Sequence, residues 1–312
     1  MAYLNKVLDI KHPIIMAPMF LVSNVDMIIS AYKSGIIGCL PAHNFRTQND
    51  LEKALQTLTT QKIKFGINLI VNKSNTNYDW QIETVLKYGC DFIITSLGNP
   101  KQTIEMAHRQ NVLVFCDVTN IEYAQKCETL GADALIGVSS DAGGHLGNIP
   151  SKELTKILKA NVNIPVLSAG GIGDYKSYQD HLNNGSDGVS IGTVFIASKE
   201  SGVNEKYKQA MIDYTDKDIV ITSKLSGTPC TVINTPAVQK IGTEENWLEK
   251  ILNKNKWLKR MLKTIRFLRS WNTLEKAAFS ASYDAIWCAG RSIKFVDKIL
   301  PVAKIVEKIT RP

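Results

Sequence analysis

Residues 134–147 read ALIGVSSDAGGHLG, an apolar run followed directly by a glycine cluster that carries one histidine. Short apolar runs bounded by turn residues are typical of buried strands, and glycine lets the backbone approach a flat or anionic ligand closely. Histidine is the side chain best suited to proton transfer near neutral pH. Taken alone, the stretch fits a ligand loop and a plain turn with a surface histidine equally well.

The same strand-then-glycine pattern returns twice further along the chain. It recurs as PVLSAGGIG at residues 165–173 and as VSIGT at residues 189–193. Three successive predicted strand ends therefore carry loops of the ligand-binding type, which favours a shared binding site over three unrelated turns.

Eight apolar runs, rich in Ile and Val, alternate with helical segments before residue 210. Such continuous hydrophobic runs are typical of parallel strands covered on both faces. The predicted strands are 14–19, 36–40, 65–71, 92–95, 112–118, 134–138, 166–169 and 189–195. Between them, helical character is clearest at 50–61, 80–88, 101–110, 121–130 and 152–159.

A weak internal repeat supports this count of units. Gly89, Gly131 and Gly185 each stand where a predicted helix ends, and each is followed two residues later by an Asp, just before the next strand. Gly35 holds the equivalent place before the second strand. Glycine at these positions fits the left-handed conformation that closes a helix.

Eight strand–helix units over about two hundred residues predict an α/β fold, a parallel (β/α)8 TIM barrel, whose ligand loops follow the strands. A phosphate is often held after strands seven and eight of such barrels. A doubly wound open sheet is the alternative, but its GxGxxG fingerprint is missing after Met19. We predict the barrel at residues 1–218 and a loop and helical C-terminal extension packed on it at 219–312.

Within that extension, residues 246–282 are predicted to form two helices. The segment 257–269 is basic and amphipathic. The simpler interpretation is a helix packed on the barrel with its charges in solvent, and the alternative is a helix that lies on a membrane surface.

Composition and charge limit the classes of protein that fit. The 312 residues are 44% hydrophobic, which is enough for a large core. Six widely spaced cysteines without a CxxC pair indicate reduced thiols and no metal site. We find no signal-peptide core and no apolar run long enough to cross a bilayer, so we predict a cytoplasmic protein without stable membrane insertion.

The formal net charge of +8 is concentrated in residues 250–312, which hold 15 Lys/Arg against 4 Asp/Glu. The remainder, with the ligand loops, is slightly acidic. This argues against a nucleic-acid partner for the binding site.

Seven short motifs together resemble one known family. They are MAPM at 16–19, GIN at 66–68, AGGHLG at 142–147, AGGI at 169–172, IGT at 191–193, SGTP at 226–229 and WCAGRS at 287–292. This set resembles the FMN-dependent nitronate monooxygenases, formerly called 2-nitropropane dioxygenases. The related flavin-dependent enoyl-ACP reductases share the Ala-Pro-Met opening and the Gly-Gly-His-x-Gly loop.

The resemblance implies a role for each matching residue. It makes His145 the catalytic histidine, which takes a proton from the carbon next to a nitro group or orients the nitronate. Ala17, Pro18 and Met19 are implied to place backbone against the isoalloxazine ring, and Asn68 to contact the flavin. The other implied cofactor-binding residues are Gly143, Gly144, Ser168, Gly170, Gly171, Ser190, Ile191, Gly192 and Thr193, of which Gly143, Gly170, Gly171, Gly192 and Thr193 are implied to hold the ribityl phosphate.

The chain departs from the family pattern at a few positions. Val138 and Ser190 stand where many members have Gln, Asp141 where they have Glu or another residue, and Arg291 where Gln is usual. The loss of two glutamine side chains indicates that FMN binding relies more on backbone N–H groups.

The resemblance implies an FMN-dependent oxidoreductase that oxidises small alkyl nitronates or nitroalkanes with O2, with a homodimer left open. An NAD(P)H-dependent flavin enoyl-ACP reductase is the nearest alternative. A non-enzymatic flavin-binding or partner-binding protein with a basic tail is the alternative from a different class.

Overall fold

The computed structural model describes residues 2–224, 229–243 and 286–312. The helices predicted at 246–282, including the basic segment 257–269, lie outside the described residues. Of the motif at 226–229, only Pro229 lies within them.

Eight parallel strands close into a barrel, which confirms the predicted fold class. In chain order the strands are β1 (Ile14–Met16), β2 (Ile37–Pro41), β3 (Phe65–Ile70), β4 (Phe92–Ser96), β5 (Leu113–Val118), β6 (Ala134–Val138), β7 (Gly144–His145), β8 (Val166–Ala169), β9 (Val189–Ile191), β10 (Ile219–Thr222) and β11 (Cys230–Ile233). All but β7, β10 and β11 belong to the barrel, and β9 pairs with β1 to close it. The first and last barrel strands are shorter than predicted, because Pro18 has no N–H to donate and a 3-10 turn begins at Thr193.

Helices alternate with the barrel strands, except that α1 precedes the first strand and α10 follows the small antiparallel sheet. They are α1 (Tyr3–Leu8), α2 (Val25–Lys33), α3 (Gln48–Thr60), α4 (Tyr78–Tyr88), α5 (Lys101–His108), α6 (Ile121–Thr129), α7 (Ser151–Lys159), α8 (Tyr175–Asn183), α9 (Glu205–Asp213), α10 (Pro236–Ile241) and α11 (Val302–Thr310). In the described part of the chain, no helix combines the length and the apolar character that crossing a membrane requires.

The barrel interior is filled by side chains that alternate along each strand. Phe92 and Phe115 stack at 4.9 Å between ring centroids, within a cluster that includes Ile94 and Leu167. Leu4 and Leu8 of α1 join this cluster. The sequence did not predict α1, which covers the amino-terminal end of the barrel.

The repeated Gly-x-Asp pattern has a structural explanation. All three glycines have positive φ, between 83° and 96°, as expected for residues that end a helix. Each following aspartate accepts a hydrogen bond from a backbone N–H at the start of the preceding strand. The pairs are Asp91 with Phe65 at 2.9 Å, Asp133 with Val114 at 2.7 Å, and Asp187 with Val166 at 2.8 Å.

The C-terminal helix α11 lies in the outer layer, against α2 and α8. The carboxylate of Glu200 accepts a hydrogen bond from the backbone N–H of Val302 at its first residue. Ile305 and Ile309 of α11 are buried in the main core. This helix therefore contributes to the helical ring of the barrel, and the domain boundary at 218/219 stays a prediction.

Gly66→Ala should destabilise the barrel by about 1–3 kcal/mol, as expected for overpacking a filled core. A Cβ at Gly66 would fall on the Phe92 ring, which is fully buried and already stacked on Phe115. Urea unfolding followed by circular dichroism measures the effect. Gly202→Ala is the control, because a Cβ there would meet only the end of the Asn24 side chain, at 3.3 Å. Equal stability of Gly66→Ala and the wild-type protein would contradict the close packing of Gly66 against the Phe92 ring.

Candidate functional site

A cavity of about 570 Å³ opens at the carboxyl ends of the barrel strands. Ligand and cofactor pockets typically have volumes of roughly 300–1,000 Å³, and TIM-barrel sites lie at this end. The cavity is lined by segments that follow almost every barrel strand, and by residues 286, 288, 289 and 292 of the C-terminal region.

A small antiparallel sheet positions the glycine-histidine motif above the barrel. β7 pairs with β11, so that Gly144 is opposite Thr231 and His145 is opposite Cys230. The Thr231 hydroxyl accepts a hydrogen bond from the Gly144 N–H at 3.0 Å. His145 is exposed and lines the cavity. Backbone pairing thus places His145 in the cavity independently of its own side chain.

The loops after β8 and β9 bring four backbone N–H groups together, those of Gly170, Gly171, Gly192 and Thr193, which we call the anion cradle. Gly170 and Gly171 have φ values of 114° and 77°, a region that glycine adopts without strain. The N–H groups of the four cradle residues have no hydrogen-bond partner among the described residues. Clustered backbone N–H groups of this kind bind anions such as phosphate.

Gly143 connects the loop after β6 with the C-terminal segment. A Cβ at Gly143 would lie 2.9 Å from the Gly290 nitrogen and 2.7 Å from the Thr193 Oγ1. The Gly290 N–H donates a hydrogen bond to the Thr193 Oγ1 at 3.0 Å. Glycine at position 143 is therefore required for this close backbone approach, which fixes Thr193 in the cradle.

The C-terminal segment is anchored beside the cavity by aromatic stacking. Trp287 stacks on Tyr207 of α9 at 5.5 Å between ring centroids. The Tyr207 hydroxyl donates a hydrogen bond to the carbonyl of Cys288. These contacts place Cys288, Ala289 and Ser292 in the cavity wall.

The floor of the cavity is the uppermost inward-facing layer of the barrel. On one side of it lie three polar residues from neighbouring strands, which we call the polar arc: Asn68, Ser96 and Asp117. The Asn68 Nδ2 donates to the carbonyl of Ile94 at 3.1 Å and to the Ser96 Oγ at 2.8 Å. The Ser96 hydroxyl donates to the Asp117 Oδ2 at 2.5 Å. The rest of the layer is mostly apolar, with Ala17, Pro41, Val138 and Ala169 beside Ser190.

Burial shifts the pKa values of several titratable groups of the cavity, among them His43 and Asp117. Burial lowers the pKa of His43 to about 4, and its ring packs against Phe20 at 5.5 Å between centroids. Burial raises the pKa of Asp117 to about 6, and the hydrogen bond from Ser96 partly offsets that effect. His43 is thus neutral at pH 7, whereas Asp117 titrates close to neutrality.

The structure brings together all but one of the residues singled out from the sequence. Those that line the cavity are Ala17, Pro18, Met19, Asn68, Gly143, Gly144, His145, Gly170, Gly171, Ser190, Ile191, Gly192 and Thr193. The exception is Ser168, whose hydroxyl lies 2.8 Å from the His181 Nδ1 and 3.0 Å from the hydroxyls of Ser151 and Thr155. Its neighbours Leu167 and Ala169 face the barrel interior, so Ser168 faces the outer helices.

Sequence reasoning missed several residues that line the cavity. Asp117 carried a usable signal, because it is a charged residue inside the apolar run 112–118. His43, Tyr207 and Cys230 carried none, because their segments reach the cavity only through tertiary packing.

A closed parallel barrel with a cavity at the carboxyl ends of its strands, lined by the anion cradle and a histidine, is typical of TIM-barrel enzymes. Comparison of the chain with models of known protein families identifies its family. The family model for nitronate monooxygenase matches residues 2–311, and the chain belongs to that family of oxidoreductases.

The individual proteins that the chain resembles are named as different enzymes. The chain is 28% identical over 284 residues to a probable nitronate monooxygenase of Staphylococcus haemolyticus, covering 76% of this chain and 79% of the relative. It is 26% identical over 287 residues to an indene-carboxyl-CoA dehydrogenase of Rhodococcus jostii, covering 91% and 80%. Among solved structures it is similar to FabK from Thermotoga maritima, with a TM-score of 0.85, 27% identity, and coverage of 99% and 94%.

Proposed function

We propose that this chain is an FMN-dependent oxidoreductase that oxidises alkyl nitronates or nitroalkanes with O2. The observation that carries the proposal is the presence of His145 and the anion cradle in the same cavity. Membership of the nitronate monooxygenase family supports the reaction class.

The residues present fit FMN. The four N–H groups of the anion cradle and the Thr193 hydroxyl would hold the phosphate, since none of the described residues lining the cavity is Lys or Arg. The backbone of Ala17, Pro18 and Met19 would lie against the ring. When bound, FMN supplies the electron transfer from the substrate to O2, and the protein supplies orientation and proton transfer.

His145 is the better of the two cavity histidines for removing a proton from a nitroalkane carbon. A general base works best when its pKa is near the operating pH. The low pKa of His43, about 4, makes its ring a weak base at neutral pH. Burial of His43 and its packing on Phe20 suit a role in the cavity wall.

Anaerobic mixing of the purified protein with its electron donors tests the proposal. We expect nitronates and nitroalkanes to bleach the flavin absorbance, and NADH and NADPH to leave it unchanged. Bleaching by NADH or NADPH alone would contradict nitronate oxidation and support a reductase.

That reductase is the second candidate, an NAD(P)H-dependent flavin enoyl-ACP reductase. The likeness to FabK over nearly the whole of both chains favours it. The shared Ala-Pro-Met and Gly-Gly-His-x-Gly motifs do not distinguish the two reactions, because both need a flavin and a histidine. The homodimer, the cytoplasmic location and the partner-binding role of the basic tail stay predictions.

The purified protein should carry non-covalent FMN and not FAD. The loops after β8 and β9 form one compact anion cradle, and the chain has no second nucleotide fingerprint. Mass spectrometry of the cofactor released by heat or acid measures its identity. Release of FAD, or failure of the protein to bind added FMN, would contradict this assignment of the cradle.

A further inference from the structure

The polar arc of Asn68, Ser96 and Asp117 exceeds what a barrel core needs. Inward-facing positions at this depth are usually filled by apolar branched side chains, as they are at Ile94 and Ile136, which pair with Asn68 and Asp117 on the neighbouring strands. Burying a carboxyl group costs free energy unless it is hydrogen-bonded. The arc therefore requires an explanation in terms of what the cavity binds.

The hydrogen bonds of the polar arc form a chain in which Asn68 donates to Ser96 and Ser96 donates to Asp117. Asn68 uses both hydrogens of its Nδ2, on Ile94 and Ser96, and Ser96 gives its single hydrogen to Asp117. This leaves the Asn68 Oδ1 and the Asp117 Oδ1 without a hydrogen-bond partner among the described residues. The arc thus offers the cavity acceptor atoms, with Asp117 able to become a donor when it is protonated.

The arc lies across the barrel from the anion cradle. The cradle follows β8 and β9, whereas the arc comes from β3, β4 and β5 in the closed strand order. If the cradle held the phosphate of a flavin, the arc would be on the other side of the same cavity, where it could meet the ring. The hydrogen-bonding atoms of that ring system are those of its pyrimidine ring and the adjacent N5, and its dimethylbenzene end is apolar, so the polar side of the floor fits the pyrimidine end.

The titratable groups around Asp117 are mostly thiols and a phenol. The titratable side chains near Asp117 include Tyr123 and Cys127 of α6, Cys116 of its own strand and Cys39 of β2. From β4 and β6, Ser96 and Ile136 face it. Tyr123, Cys116 and Cys39 have raised pKa values and are neutral at pH 7. The hydrogen bonds of Cys127 with Cys116 and with Tyr123 lower its pKa. The other titratable side chains of the cavity include His43 and His145 in the loops above.

We propose that Asp117 contacts the flavin ring and acts as the acid–base partner of its reduction, binding a proton when the ring gains electrons. This proposal rests on the proposed FMN site, and it is independent of which substrate supplies the electrons.

The charge balance of the step is complete. The substrate gives up two electrons, and one proton is bound by the ring itself. The two electrons carry two negative charges, and the proton on the ring balances one of them. The other is balanced when the Asp117 carboxylate binds a proton from solvent. Reoxidation by O2 returns that proton, so Asp117 ends each turnover as it began. In a cavity without a lysine or arginine among its described lining residues, Asp117 is well placed to compensate this charge.

Proton uptake during reduction tests the proposal without any nitro compound. The FMN-loaded wild-type protein and Asp117→Asn are reduced anaerobically with dithionite in weak buffer, between pH 5 and pH 9, with a pH indicator. At pH 5 the carboxyl is already protonated, because its pKa is about 6, and the two proteins should match. Above pH 6 the number of protons bound per two electrons should be larger for the wild-type protein than for Asp117→Asn, by as much as one.

Ser96→Ala separates this role from a purely structural one. Removing the hydroxyl that stabilises the carboxylate should raise the pKa of Asp117, so the extra proton uptake should begin at a higher pH. Asp91→Asn is the control, because that aspartate accepts a hydrogen bond at the opposite end of the barrel and does not line the cavity. It should match the wild-type protein at every pH.

The proposal is overturned if Asp117→Asn and the wild-type protein take up equal numbers of protons throughout. If Asp117→Asn fails to retain FMN, the Ser96→Ala result decides, and an unmoved onset overturns the proposal. Normal proton uptake in a protein whose flavin ignores nitro compounds would contradict the proposed function alone. Failure of the wild-type protein to bind FMN would contradict both.

Discussion

His145→Ala should lower the turnover of a neutral nitroalkane by roughly a hundredfold or more, as expected when a general base is removed. The protein should still fold and retain FMN. The backbone of residue 145 pairs with Cys230 through β7 and β11, and this pairing does not need the imidazole. The anion cradle lies in other loops, after β8 and β9.

The choice of substrate reveals what His145 does. A neutral nitroalkane must lose a proton from the carbon next to the nitro group before or during oxidation, whereas a preformed nitronate has already lost it. His145→Ala should therefore lose much less activity with the nitronate. Steady-state rates for the two forms of one compound, measured at the same pH, give this comparison. Equal losses would indicate an orienting role, and no loss on either would remove His145 from the mechanism.

His43→Gln provides the matched control. It changes the other cavity histidine, which is buried against Phe20 and has a pKa of about 4. A ring that is neutral and weakly basic at pH 7 contributes little to proton removal, so we expect a loss of less than about tenfold on either substrate. A selective loss with the nitroalkane in His43→Gln would transfer the role of base to His43.

The barrel could be predicted from the sequence because its physical determinants are local. Each strand is an apolar run, and each Gly-x-Asp pattern ends a helix and begins a strand within three residues. The short strand β7 could not be predicted in this way. It exists because Gly144 and His145 pair with β11, a segment that is distant in the sequence.

The residues that line the cavity could be predicted from the sequence where backbone conformation requires glycine, and less well where side-chain direction matters. The residue type itself indicates the positive φ values of Gly170 and Gly171, because glycine adopts that conformation without strain. The direction of Ser168 was predictable in principle, because alternation along β8 places it opposite to Ala169. The polar arc needed the barrel to be closed first, since Asn68, Ser96 and Asp117 are brought together by the register of three strands.

Gly171→Asp should nearly abolish FMN binding. Two unit charges about 4 Å apart repel by about 4 kcal/mol at an effective dielectric constant of 20, and each 1.4 kcal/mol corresponds to tenfold in affinity. An introduced carboxylate beside the phosphate should thus weaken binding by on the order of a hundredfold or more. None of the described residues that line the cavity is a lysine or arginine that could offset this repulsion.

Titration of the apoprotein with FMN, followed by quenching of flavin fluorescence, measures this affinity. Backbone strain also contributes, because residue 171 has a φ of 77°. Gly171→Ala isolates the strain, since its Cβ would lie 3.4 Å from the Asp141 Cβ, an ordinary contact, without adding charge. Gly89→Asp isolates the charge at a site of similar φ, 83°, with nothing within 4 Å and no place in the cavity.

We expect FMN affinity to fall moderately in Gly171→Ala, to stay at the wild-type value in Gly89→Asp, and to be lost in Gly171→Asp. That order would indicate repulsion of a bound phosphate, because strain alone predicts similar losses for both substitutions at residue 171. If a folded Gly171→Asp protein binds FMN normally, the phosphate must lie elsewhere. The N–H groups of the cradle would then have to serve another anion, and the position of His145 relative to the flavin would no longer support its role as the base.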